Sequence, residues 1–141
     1  MKKKLYVGCA ISGLPPEKRK EFLKMIERLK VELSRHFEIL EFIGTALSSP
    51  KDTYVRDIAE CVMHADYMLA ICDHPSLGLG YEMATAIEKR DIPVLAFAHK
   101  NSSVSRLIVG IHGKKFLFLR YDSTHEIVQH ARKHLLPREA A

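Results

Sequence analysis

The chain has no tryptophan, three cysteines in 141 residues, and no apolar run near the ~20 residues that a bilayer-spanning helix requires. A membrane protein of the helical kind is therefore not expected. The cysteines, Cys9, Cys61 and Cys72, form no C-x-x-C pair, which argues against a zinc knuckle or a dithiol redox site. Their odd number and apolar neighbours fit buried thiols in a reducing compartment, and the cytoplasm is the expected location. The basic start, Met1-Lys2-Lys3-Lys4, leads into an apolar stretch that stops at Gly13. That stretch is too short for a secretory core plus cleavage site and reads as a first strand.

Aromatic residues are only 8% of the chain and are not interleaved with basic ones as on an RNA-binding sheet. This argues against a nucleic-acid platform. The charge balance is nonetheless positive, with 22 Lys+Arg against 17 Asp+Glu. Such an excess serves solubility, or attracts an anionic partner such as a phosphorylated small molecule. A content of 47% hydrophobic and 28% charged residues is that of a globular protein. The length suits one domain spanning 1–141, and no repeat, low-complexity tract or linker interrupts it.

Lys4 to Ala10 is short, apolar and β-rich, and predicts a buried strand. Ser12-Gly13-Leu14-Pro15-Pro16 is loop chemistry, with Pro16 suited to a first helical position. Phe22, Ile26, Leu29 and Leu33 recur at steps of three and four, predicting a helix over Glu17 to Arg35. Phe37 to Ile43 is a second strand, broken by Ser48-Ser49-Pro50. Thr53 to His64 predicts a helix with Val55, Ile58, Ala59, Val62 and Met63 inward. Asp66 to Cys72 is a third strand, whose continuous apolar character suits a parallel sheet covered on both faces. Asp73 to Gly80 reads as a loop, Tyr81 to Arg90 as a helix, Ile92 to Ala98 and Lys115 to Arg120 as strands. A helical turn at Ser105 to Val109 lies between those strands, and a final helix covers Thr124 to Leu136. This β-α alternation predicts a three-layer α/β domain of the flavodoxin-like, Rossmann-like kind. Its five-stranded parallel sheet is expected in the order 2-1-3-4-5.

Sheets of this type bind ligands beyond the carboxyl ends of their strands, where strands one and three diverge. Ile11-Ser12-Gly13-Leu14 and the segment Asp73 to Glu82 meet there. Gly78 and Gly80 permit positive φ or close approach of a ligand, Ser76 adds a hydroxyl, and the following helix offers free N–H groups to a phosphate. Three readings stay open: an ordinary turn, a phosphate cradle, or a loop that aims the Glu82 carboxylate at the crevice. A dinucleotide fingerprint fails, because a third glycine is missing and the motif follows strand three. Near a helix N-terminus Glu82 is expected to stay ionised at neutral pH, as a carboxylate nucleophile must.

Pro75-Ser76-Leu77-Gly78-Leu79-Gly80-Tyr81-Glu82-Met83, preceded by Ala65-Asp66 and an apolar strand, closely resembles the nucleoside 2-deoxyribosyltransferase superfamily. That superfamily includes the 2'-deoxynucleoside 5'-monophosphate N-glycosidases. Tyr6, Ile11-Ser12-Gly13, Arg56-Asp57 and Ser105-Arg106-Leu107-Ile108-Val109-Gly110 match in order, so the resemblance covers roughly residues 4 to 120. Nine residues separate Asp57 from Asp66, where many members have eight. The resemblance implies that Glu82 attacks C1' of the sugar, that Asp57 positions the sugar and assists base departure, and that Tyr6 holds Glu82. It also implies a homodimer or larger assembly with shared sites, and no cofactor or metal.

Nucleoside transferases of this superfamily carry an aspartate six residues before the nucleophile, accepting a hydrogen bond from a free 5'-hydroxyl. Here that position is Ser76, which can donate to a 5'-phosphate. Ser12, Gly13, Gly78, Gly80 and Ser105 are the further expected phosphate or substrate contacts, although the nucleotide hydrolases carry an arginine at the position of Ser12. The expected activity is hydrolysis of a nucleoside 5'-monophosphate at its N-glycosidic bond. The alternatives are base exchange between nucleosides, and a non-catalytic nucleotide-binding module. His130 and His134, at i and i+4, lack an acidic third metal ligand. His74 lies in the loop near the expected site, Asp66 suits a cap or ion pair, and Asp73 has no assignable role. No Gly-x-Ser-x-Gly elbow is present.

Overall fold

A computed structural model describes residues 1–11, 13–41 and 49–137. Five parallel strands run β1 (Lys4–Cys9), β2 (Glu38–Ile39), β3 (Tyr67–Ile71), β4 (Val94–His99) and β5 (Phe116–Tyr121). They are ordered β2-β1-β3-β4-β5, as the alternation of elements predicts. Register is set along β3, where Tyr6 pairs with Met68 and Gly8 with Ala70 on one side, and Ala70 with Ala96 on the other. The second strand is shorter than the apolar run Phe37 to Ile43 suggests, and Phe42 and Ile43 lie outside the described residues.

The two faces of the sheet carry different packing. On one, Leu5, Leu69, Ile71, Leu95 and Phe97 meet α1 (Pro16–Leu33) and α5 (Thr124–Leu135). Phe22, Ile26, Leu29 and Leu33 supply the buried stripe of α1, at the spacing that predicts it. Pro16 occupies its first turn, where a missing N–H costs nothing. A reciprocal Ser123–Glu126 capping box starts α5. On the other face β3 and β4 present small residues, Ala70, Ala96 and Ala98, so the helices there approach closely.

Those helices are α2 (Pro50–Tyr54), which continues into π-helical turns over Val55–Cys61 and a tight turn at Val62–His64, and α3 (Leu77–Ala84), which continues into π-helical turns over Thr85–Arg90. Ser49 caps α2 by accepting from the Asp52 N–H at 3.2 Å. The wider turns change which residues face inward. Ile58 and Val62 are buried and Met63 partly so, but Val55 and Ala59 are exposed, against the expectation from a 3.6-residue period. The Val62 N–H donates to the Asp57 and Ile58 carbonyls together, which marks the widened turn.

A short helix, α4 (Arg106–Val109), follows β4, with Ser105 at its N-cap. No helix among the described residues is long and apolar enough to cross a membrane.

Candidate active site

The segment after β3 differs from its expected form. The chain turns helical at Leu77, four residues early, because Ser76 caps α3: its Oγ accepts from the Leu79 N–H at 3.0 Å. Gly78 and Gly80 are thus helical residues of the first turn and have negative φ, so they do not supply the positive φ expected of them. Glu82 falls on the second turn, beyond the reach of the dipole at the helix start.

What surrounds Glu82 is the interior. It is 7% exposed and is the one charged side chain fully buried among the described residues. The Tyr6 hydroxyl donates to Glu82 Oε2 at 2.7 Å. Gly8 makes the space: a Cβ there would lie 3.2 Å from Glu82 Oε1, 2.9 Å from Leu79 Cδ1 and 3.1 Å from Met68 Cε. A glycine inside a buried strand signals close approach of another group. Its place within the apolar run Lys4 to Ala10 carries that signal in the sequence itself.

Desolvation therefore governs Glu82. Burial pushes its carboxyl up to about 7, against the lowering effect of the Tyr6 hydrogen bond. The Asp57 carboxylate raises it further, by its charge and by sharing a hydrogen bond. Arg56 opposes this weakly from its own contact with Asp57, Nε to Oδ1 at 2.6 Å. The expectation of a permanently ionised Glu82 is thus corrected: with its carboxyl pushed up to about 7, Glu82 is protonated in a large share of molecules at neutral pH. Burial and the two carboxylates also hold the Tyr6 phenol far above its ordinary value, so it remains a donor.

Tyr6, Asp57 and Glu82 line one cavity of about 330 Å³, at the low end of small-molecule sites. It opens beyond the carboxyl ends of β1 and β2, with Cys9 and Ile11 from the first, and Leu40 and Glu41 after the second. Glu27 and Lys30 of α1 close the far side. Asp57 thus joins the site on a π-helical turn, a segment able to absorb one extra residue between it and β3 without losing the facing side chain.

The expected phosphate contacts are more scattered. Gly13 and Pro75 adjoin, since a Cβ on Gly13 would stand 3.7 Å from the Pro75 carbonyl, so the loops after β1 and β3 do meet. Ser76 follows Pro75 in the chain, but Ser76, Gly78 and Gly80 are not among the cavity-lining residues, and neither is Ser105, which is exposed on its turn. Ser12 lies outside the described residues.

Other expected candidates have structural work. Asp66 Oδ2 accepts from the Lys4 N–H at 2.8 Å and fixes the start of β1. Asp73 accepts from the Tyr121 hydroxyl and, at 3.0 Å, from the His99 N–H, joining the ends of β3, β4 and β5. The His74 ring packs edge-on against Phe22, with centroids 5.0 Å apart. His130 and His134 stack at 5.9 Å. No group of three metal-ligating side chains occurs among the described residues. All three cysteines are free; Cys61 and Cys72 are buried and Cys9 half-buried. Burial pushes the thiols of Cys9 and Cys61 up to about 11, which disfavours them as nucleophiles.

The raised Glu82 value makes folding stability depend on pH with a definite sign. The folded protein holds this proton more tightly than the unfolded chain. The contribution is complete below the ordinary carboxylate value of 4.5 and is lost as pH rises through about 7. Denaturant unfolding of wild type and Glu82→Gln should therefore show wild type losing roughly 3 kcal/mol relative to the variant between pH 5 and pH 8. Parallel profiles for the two proteins would contradict a buried Glu82 with a raised carboxyl value.

No family model matches the chain. It is 31% identical over 129 residues, 88% of each chain, to a protein of Syntrophotalea carbinolica provisionally named 2'-deoxynucleoside 5'-phosphate N-hydrolase 1. A Thermofilum pendens protein of the same provisional name is 34% identical over 83 residues, 57% of each chain. The solved structure of the CMP N-glycosidase BcmB from Clostridium botulinum superimposes with a TM-score of 0.70 at 19% identity, covering 93% of this chain and 98% of that one, and so shares the fold. On the first of these similarities, the chain belongs to the 2'-deoxynucleoside 5'-phosphate N-hydrolase 1 family.

Proposed function

We propose that this enzyme hydrolyses the N-glycosidic bond of a 2'-deoxynucleoside 5'-monophosphate, through a sugar bonded covalently to Glu82. The observation that carries the reading is the convergence of Tyr6, Asp57 and buried Glu82 on one side of a cavity of about 330 Å³. Tyr6 holds Oε2 and leaves the other carboxylate oxygen as the attacking atom. As Glu82 becomes the nucleophile, it gives its proton to Asp57. The C1'–N bond then breaks as the C1'–O bond forms, and Asp57 passes its proton to the departing base. Water, deprotonated by Asp57, attacks C1' in the second step and frees Glu82, as in retaining glycosidases. An acceptor base in place of water would give the transferase reaction, and a nucleotide-binding module would need no such carboxylate pair.

The phosphate falls to the junction of the loops after β1 and β3, where Gly13 adjoins Pro75, and Gly13 and Ser76 are assigned to it. Ser76 Oγ spends a lone pair on the Leu79 N–H, so its own proton stays free to donate to an anion. The first-turn glycines, Gly78 and Gly80, keep that approach unobstructed; a Cβ on Gly80 would meet nothing within 4 Å. Ser105 is assigned to a neighbouring subunit's site. Exposed Tyr54, Val55, Leu77, Tyr81, Leu107 and Val109 support a homodimer, and the Tyr54 and Tyr81 rings lie 6.3 Å apart in the same region.

Base release from dAMP, dGMP, dCMP and dUMP, followed by chromatography, tests the activity. Wild type should release base from at least one of the four, and Glu82→Ala should lose the activity by a factor of at least about 10³. The kcat/KM of wild type should fall as pH rises above about 7, where Glu82 has lost the proton that Asp57 must pass to the base. An active Glu82→Ala would refute the covalent route. Ser76→Asp keeps an N-cap residue but adds a negative charge. It should raise KM for monophosphates at least ~10-fold with little change for the matching nucleosides; equal effects would remove the phosphate from Ser76. Sedimentation equilibrium should find a dimer that Leu107→Lys shifts toward monomer, and a wild-type monomer would refute the assembly.

A further inference from the structure

The cavity that holds Glu82 has a second polar end, which the proposed reaction leaves without a task. Lys30 of α1 lines it, with Nζ 3.0 Å from Glu41 Oε1 and 3.9 Å from Glu27 Oε1. The Lys30 side chain is 23% exposed, which is unusual for a lysine. Glu41 is anchored just past β2 and Glu27 lies one turn back on the same helix, so the ammonium is gripped from two elements. Cys9, at the end of β1, lines the same cavity.

The charge of the cavity indicates which part of a nucleotide enters it. Among the described lining residues the acidic side chains, Glu27, Glu41, Asp57 and Glu82, outnumber the basic ones, Lys30 and Arg56. A phosphate dianion is repelled by that balance, and Lys30 is already matched by its own carboxylates. The sugar must meet Glu82, so the part that extends toward Lys30 is the base.

We propose that Lys30 is an electrophilic contact to the departing base, with Glu41 and Glu27 as the residues that position it. This rests on the N-glycosidase reading. When the C1'–N bond breaks, its electron pair goes to the base and spreads over the ring and its carbonyl or ring-nitrogen acceptors. The Lys30 ammonium donates a hydrogen bond to one of those acceptors, on the side away from the scissile nitrogen. Lys30 keeps its proton throughout, and the proton that neutralises the base comes from Asp57. A donor aimed at charge that grows only as the bond breaks acts on kcat more than on ground-state binding. The contact selects heteroaromatic leaving groups that carry an acceptor at that edge.

The test is base release from dAMP, dGMP, dCMP and dUMP by wild type, Lys30→Met, Lys30→Arg and Glu41→Gln, with kcat and KM separated on the best substrate. Inhibition by the corresponding free base is measured alongside. Lys30→Met should lower kcat by a factor on the order of 10² with KM changed less than about threefold, and should weaken free-base inhibition about tenfold. Lys30→Arg, which keeps the charge, should recover at least about tenfold of the lost kcat, and Glu41→Gln should fall between wild type and Lys30→Met. A Lys30→Met enzyme within about threefold of wild type overturns the proposal. So do equal losses in Lys30→Met and Lys30→Arg, which would mark a structural role. Wild type releasing no base from any of the four nucleotides defeats the hydrolase reading itself, and that outcome is distinct from an active wild type with an equally active Lys30→Met.

Discussion

The site depends on keeping one carboxyl group out of water. Glu82 is buried beside Gly8 of β1, and transferring an unpaired carboxylate to such surroundings is costly. The Tyr6 hydroxyl offsets part of that cost with a hydrogen bond of 2.7 Å. A carboxyl value pushed up to about 7 leaves the group partly neutral, which relieves more. The result is a group whose charge state is poised near neutrality, the condition in which one carboxyl can act as nucleophile while its neighbour handles the proton. Gly8 is part of the same arrangement, because a side chain at that position would crowd Leu79, Met68 and the Glu82 carboxyl.

The architecture brings these groups together from distant parts of the sequence. Parallel pairing sets Tyr6 of β1 beside Met68 of β3, and α3 follows directly from the end of β3. Asp57 arrives from the helix that leads into β3. The short β2 leaves Glu41 facing Lys30 of α1, so one chamber is furnished from both layers of helices.

Much of this was legible in the residues. Continuous apolar runs gave the strands and their order, and the Ser-Leu-Gly-Leu-Gly-Tyr-Glu block, with Tyr6 and Asp57, marked the three groups that meet at the cavity. The start of α3 was misread because two glycines within four residues resemble a loop, whereas the Ser76 cap decides where the helix begins. Val55 and Ala59 were placed inward because a widened turn has no signature in hydrophobic spacing. The ionisation of Glu82 followed from its presumed place at a helix end, but burial outweighs the dipole and is a tertiary property. Lys30 and Glu41, eleven positions apart on different elements, carry no motif, so only the folded chain displays them as a pair.

The clamp at Asp73 bears on the loop that follows it. Tyr121 and the His99 backbone hold this side chain from two neighbouring strands, and a ring contact between His99 and Tyr121 braces the holders. The few residues from there to Ser76 therefore start from a fixed post and end in a capped helix. A segment tethered at both ends has little conformational freedom left to surrender when a ligand settles against it. Whatever affinity its hydroxyl and amide groups contribute is thus delivered nearly undiminished, because immobilisation was completed when the chain folded.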